Sequence, residues 1–181
     1  MKVTPTAIPE VLIVEPKVYG DERGFFYESF NARQFSQATG QHPVFVQEDH
    51  VRSARDVVRG LHYQAELPQA KLVRVIAGTL FAVVLDLRAQ SPFFGRSVTV
   101  TLSADNRQQL WVPPGFAYGS VVTSEFAECL VKSTNYWTPD NERTILWNDG
   151  ALAIDWPLRG AAVVSAKDNQ GTPLVAAHVF H

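Results

Sequence analysis

The chain has 181 residues, 46% of them apolar, with 11 Phe, 5 Tyr and 4 Trp, which is enough for one sizeable core. Its 18 acidic and 16 basic residues leave a formal net charge of -2 without a long block of like charge, so neither a charged tail nor a nucleic-acid-binding surface is expected. The single cysteine, Cys129, excludes an internal disulfide framework and a cysteine-based zinc site, and the apolar runs are too short for a membrane helix. Met1 to Glu10 lack the build of a signal peptide, so the expected setting is reducing and cytoplasmic, with no membrane partner.

Eleven Gly and eleven Pro recur along the chain, and the short stretches between them are rich in Val, Phe, Leu, Thr and Tyr, as in an all-β domain. Strands are expected first at Val11 to Glu15 and Gly24 to Ser29. A short helix follows, capped by Asn31, anchored by Phe35, running through Ala38 and stopped by Gly40. Further strands are expected at Val44 to Val51 and Val57 to Gln64. Lys71 to Ala77 and Leu80 to Arg88 read as the arms of a hairpin turning at Gly78-Thr79. Strands at Arg96 to Leu102, Gln108 to Trp111, Ala117 to Thr123 and Ala127 to Thr134 come next, with a second short helix near the C-terminus. Residues 139 to 181, punctuated by Pro139, Pro157 and Pro173, read as an irregular wrap. About ten strands with no βαβ rhythm, no repeat and no domain boundary predict one all-β domain, a two-sheet sandwich or jelly roll with a few short peripheral helices.

Several proton-transferring groups interrupt these apolar strands, where burial demands a reason. His62, in Arg59-Gly60-Leu61-His62-Tyr63-Gln64, is either a hydrogen-bonded structural residue or a general base of near-neutral pKa. Lys71 alternates with Val73 and Val75, and is either a solvated strand-end lysine or a cation for a developing oxyanion. Ser165-Ala166-Lys167-Asp168 fits a helix capping box, and its aspartate alternatively holds a histidine in one tautomer. In Asp21-Glu22-Arg23-Gly24-Phe25-Phe26 the arginine is a solvated turn residue or a phosphate clamp beside a ring that stacks on a base. A metal is disfavoured: a second histidine two residues beyond His62 is missing, since position 64 is Gln64, and His42, His50, His178 and His181 stand singly. Arg59 and His62 have opposite parity on an ideal strand, so one pocket receives both only if the chain bulges, which Gly60 permits.

Taken in order, Gly20-Asp21-Glu22-Arg23-Gly24-Phe25-Phe26, Arg59-Gly60-Leu61-His62-Tyr63-Gln64, Lys71-Leu72-Val73-Arg74, Pro113-Pro114-Gly115-Phe116-Ala117, Ile154-Asp155-Trp156-Pro157 and Ser165-Ala166-Lys167-Asp168 resemble the dTDP-4-dehydrorhamnose 3,5-epimerases over nearly the whole chain. The resemblance implies a cupin-like jelly roll, active as a homodimer with strand exchange to which residues 1 to 50 contribute, needing neither metal nor redox cofactor. It implies a dTDP-4-keto-6-deoxyhexose as substrate, in rhamnose-type deoxysugar biosynthesis. By matching position, His62 is the base, Asp168 its orienter and Lys71 the stabiliser of the C4 enolate oxygen. Arg23, reaching across the dimer, and Arg59 hold the diphosphate, while Phe26, Glu28 and Gln47 line the nucleotide and sugar pocket, with Lys167 counted in the same binding set.

The chain departs from that pattern in three places. The family's tyrosine acid is replaced by Val131, which has no proton to give, and Cys129 on the same face is also small. A family histidine is replaced by Tyr118, expected to compensate in part as a catalytic acid, and Asp49 stands where asparagine is usual, a negative charge unwelcome beside phosphate. Cys129 is expected to be an apolar filler with no cation near it except Lys132 on the other face. Alternatives to the double epimerase are a C3- or C5-monoepimerase, a ketoisomerase on a related nucleotide sugar, and a non-catalytic nucleotide-sugar binder.

Overall fold

The computed structural model describes residues 1–181. Its strands are β1 (Lys2–Pro5), β2 (Leu12–Glu15), β3 (Tyr19–Asp21), β4 (Gly24–Phe26), β5 (Gln47–Ala54), β6 (Val57–Gln64), β7 (Lys71–Asp86), β8 (Ser97–Ser103), β9 (Gln109–Val112), β10 (Phe116–Ser133), β11 (Glu142–Thr144) and β12 (Val163–Val164). The helices are α1 (Ala32–Thr39) and α2 (Ala166–Asn169), with 3-10 turns at Gly150–Leu152 and Leu174–Ala176.

Two long strands define the architecture. β7 and β10 run antiparallel from Phe116 opposite Asp86 to Ser133 opposite Lys71, and both bend midway. The second half of β7 and the first half of β10 join β8 and β6 in one layer, with β11 and β12 on the far edge of β6. Their other halves join β9, β2, β1 and β5 in the second layer. The result is a jelly roll in which one ten-stranded sheet folds over itself, and β3–β4 stands apart as a two-stranded ribbon.

The hairpin expected at Gly78-Thr79 is therefore a corner within one strand. Val73 and Val75 face the interior before it, and Leu80, Ala82 and Val84 after it, so the inward set changes parity at the bend. Four residues of β10, 123 to 126, loop out between the pairs Val122–Leu80 and Ala127–Gly78. Gly78 has φ +71, and a Cβ there would lie 1.9 Å from the Phe126 carbonyl oxygen, so only glycine fits the crossing. The expected strands Ala117 to Thr123 and Ala127 to Thr134 are likewise one element, β10.

Three apolar clusters hold the layers. The largest fills the interior between them and includes Val73, Val84, Leu110 and Phe116. Leu61, Tyr63, Val83, Leu85 and Ile145 form a second on the outer face of the first layer, beneath the C-terminal segment. Phe35 of α1 covers the outer face of the second layer against Leu72 and Trp111. Asn31 caps α1 by accepting the Gln34 N–H, and Gly40 ends it at φ +70. No helix is long and apolar enough to cross a membrane.

Candidate active site

The interior is not filled at one end. A cavity of about 400 Å³ opens there, walled by β6 and β10 of the first layer and by β5, β7 and β10 of the second. Strand alternation directs His62 inward while its neighbours Leu61 and Tyr63 pack outward. Arg59 reaches the same cavity because the register slips: Tyr118 is opposite His62 and Ser120 is opposite Arg59, which leaves one extra residue on β6. Gly60 at φ +106 makes that bulge, and a Cβ there would lie 2.6 Å from the Tyr118 carbonyl oxygen.

Behind His62 stands Asp168, whose Oδ1 lies 2.6 Å from His62 Nε2 and whose Oδ2 accepts the Gly60 N–H at 3.2 Å. The two readings of its motif are realised together. Ser165 Oγ caps α2 by accepting the Asp168 N–H, while the aspartate side chain turns away to the histidine. Its side chain is 4% exposed and that of His62 27%. Burial on its own raises the Asp168 pKa, but the His62 hydrogen bond and charge, the Gly60 N–H and nearby Lys167 outweigh it and hold the carboxyl below its ordinary value. Asp168 is thus an anion that fixes Nε2 as the protonated nitrogen and leaves Nδ1 as the basic one.

Lys71 enters from the first residue of β7, its Nζ donating to Gln69 Oε1 at 2.7 Å. Burial lowers its pKa, and the charges of Asp49 and Glu142 partly oppose that shift. Gln47 Nε2 donates to both oxygens of Asp49 at 3.0 Å, and Lys167 Nζ to Glu142 Oε2 at 2.7 Å. Val131 and Cys129 face the cavity from β10 as alternation required. The cysteine does have a cation near it: Arg59 pulls the thiol down, but burial dominates and pushes it up to about 11, so it is an inert thiol at neutral pH. No group of three His, Cys, Asp or Glu side chains is placed to hold a metal ion.

Of the residues expected at the site, His62, Lys71, Tyr118, Gln47, Asp49, Arg59, Val131 and Lys167 line the cavity, with Asp168 directly behind. Arg23, Phe26 and Glu28 do not. Arg23 pairs with Asp21 on the β3–β4 ribbon, its side chain 85% exposed, and Phe26 is 68% exposed. The Glu28 carboxylate accepts from Asn31 and Gln34 at the start of α1. Sequence reasoning missed Gln69 and Glu142, which position the two lysines, and Trp137, whose backbone N–H donates to Gln47 Oε1 at 2.9 Å. All three lie between or beyond the strands that alternation reveals.

An imidazole held by a buried carboxylate shares one cavity of a jelly-roll barrel with a largely buried ammonium, a set of groups chemically suited to moving protons next to a carbonyl. The profile of the dTDP-4-dehydrorhamnose 3,5-epimerases matches residues 5–176, and the chain belongs to that family. It is 55% identical over 181 residues to the dTDP-4-dehydrorhamnose 3,5-epimerase of Pseudomonas aeruginosa, covering 99% of each chain. Its fold is similar to the 3,5-epimerase of Legionella pneumophila solved with dTDP-4-keto-L-rhamnose, with TM-score 0.94, 46% identity and coverage of 97% of this chain and 93% of that one. A 3'-monoepimerase of Streptomyces bikiniensis in complex with dTDP-quinovose is similar at TM-score 0.89 and 28% identity, covering 97% and 88%.

Proposed function

We propose that the chain epimerises a dTDP-4-keto-6-deoxyhexose at C3 and C5, the reaction for which its relatives are named. The observation that carries the reading is the His62–Asp168 pair at 2.6 Å sharing one cavity with the Lys71 ammonium. The C4 ketone acidifies the protons on both sides of it. His62 Nδ1 removes one, the electron pair moves onto the C4 oxygen, and Lys71 stabilises the resulting enolate. Asp168 stabilises the imidazolium as it forms. Arg59 and Lys167, both on the cavity wall, supply positive charge for the diphosphate, and Gln47 and Asp49 line the same cavity.

The active form in this reading is a homodimer. The β3–β4 ribbon pairs with no other strand of its own chain and carries Arg23, Phe26 and the exposed Phe25 and Tyr19 outward, which suits the completion of a second copy's cavity. The cytoplasm, where nucleotide sugars are made, is its setting. The test is proton NMR of dTDP-4-keto-6-deoxyglucose incubated with the protein in deuterated water. Deuterium at C3 and C5 with the rhamno-configured ketone as product is expected. Labelling at one carbon makes the protein a monoepimerase, and tight dTDP binding with no labelling removes the enzymatic reading.

A further inference from the structure

Three buried side-chain polar atoms lack a hydrogen-bond partner, and of these only the Tyr118 phenol oxygen belongs to a residue of the cavity wall. Buried polar groups are ordinarily satisfied, so a solitary hydroxyl on a ligand-sized cavity points to a partner that arrives with the ligand. The ring is fixed: it packs against the interior cluster, and its strand neighbour across the ladder is His62. Tyr118 therefore shares one space with the base and the Lys71 ammonium, and of these three its oxygen alone is unengaged within the chain.

We propose that Tyr118 is the proton donor that completes inversion. The proposal rests on the epimerase reading above. In the first step a C–H bond of the sugar breaks, its proton going to His62 and its electron pair to the C4 oxygen. In the second the enolate electron pair returns to the carbon and forms a C–H bond with the phenol proton. The phenolate then takes a proton from water and His62 gives its own to water, so the cycle needs no redox partner. Burial favours the neutral phenol and raises its pKa far above the ordinary value; Cys129 adds to the shift, and Ser120, close by but outside hydrogen-bond geometry, tempers it. Tyr118 thus enters the cycle protonated, as a donor must. Val131 has no exchangeable proton; the other uncharged donors that β10 brings to the cavity are the Ser120 hydroxyl, in the layer of Tyr118 and His62, and the Cys129 thiol, in the opposite layer.

The experiment follows the sugar by NMR in deuterated water with wild type, Tyr118→Phe and Cys129→Ala in parallel, with dTDP affinity and unfolding curves for each. Tyr118→Phe is expected to keep dTDP affinity and His62-driven entry of deuterium into unconverted substrate, while inverted product forms on the order of a hundred-fold more slowly or worse. Inversion at the wild-type rate in Tyr118→Phe overturns the proposal and leaves the epimerase reading intact, as does inversion lost in Cys129→Ala but kept in Tyr118→Phe. Equal loss of exchange and inversion with affinity unchanged makes Tyr118 a positioning residue and also overturns it. Absence of exchange in the wild type itself overturns the epimerase reading, and this proposal with it.

Discussion

The wall that carries His62 and the ribbon that carries Arg23 are both read from the sequence as parts of one site, yet the fold treats them oppositely. On the wall, β6 is paired on both edges and buried on its outer face, so His62 is locked between a packed strand and a buried carboxylate. The ribbon has two three-residue strands, no ladder to the main sheet and aromatic rings in solvent. In the proposed reading, the groups that need sub-ångström placement, and Arg59 with them, are built into the barrel, whereas Arg23 sits on an exposed ribbon that suits contact with a second copy.

That contrast predicts a graded set of effects. The largest belongs to the wall. Replacing Lys71 by Met is expected to lower kcat by roughly a hundred- to a thousand-fold with dTDP affinity retained, as measured by steady-state kinetics and calorimetry. Asp168→Asn is expected to cost turnover of a similar order while leaving the Ser165 cap of α2 in place, since that cap uses only the backbone N–H of residue 168.

On the ribbon, Arg23→Ala is expected to raise KM by about ten- to a hundred-fold, the worth of a lost charge-assisted hydrogen bond, with the melting temperature unchanged. Its ion pair with Asp21 lies in solvent and contributes little to stability. The sharper version mixes subunits. Arg23→Ala and His62→Gln, each impaired alone, should regain activity when co-folded, because one cavity of the mixed dimer then has both an intact base and an intact arm. Recovery at no mixing ratio would show that the arm serves its own chain.

Gly60→Ala probes the bulge that places Arg59 beside His62. At φ +106, with 2.6 Å from the new Cβ to the Tyr118 carbonyl oxygen, it is expected to lose more than about 1 kcal/mol in urea unfolding. Smaller effects come from pH. Lys71 is depressed by burial, so the alkaline limb of the activity profile should fall below the ordinary lysine range, and Asp49→Asn, by removing a charge that raises it, should move the limb lower still. Asp168 and the buried Asp86, the latter held by Arg88 and Ser91 against the effect of burial, both titrate below the usual carboxylate value. Their stabilisation is complete above the unfolded value of about 4 and is lost as pH falls through the folded values, so melting temperature should drop only in acid.

The wall was partly legible because period-two alternation groups Lys71 with Val73 and Val75, and Cys129 with Val131, without knowledge of the topology, while the family resemblance pointed these faces and His62 into one pocket. The start, stop and anchor of α1 were equally local, in Asn31, Gly40 and Phe35. The corner at Gly78 was not, because a phase change in alternation and a left-handed glycine look the same whether the chain reverses or crosses between layers. Pairing with β10 decides it, and that contact is remote in sequence. Glu142, Gln69 and Trp137 escaped for a related reason: they reach the cavity from segments held by single hydrogen bonds or short ladders, where no period exists to read.

The most direct test of the whole account is deuterium entry at C3 and C5 of dTDP-4-keto-6-deoxyglucose, compared between the wild type and His62→Gln under the same conditions. The account predicts labelling of both carbons by the wild type and none by the variant while dTDP still binds. Equal labelling by the two proteins would place the base elsewhere and contradict it.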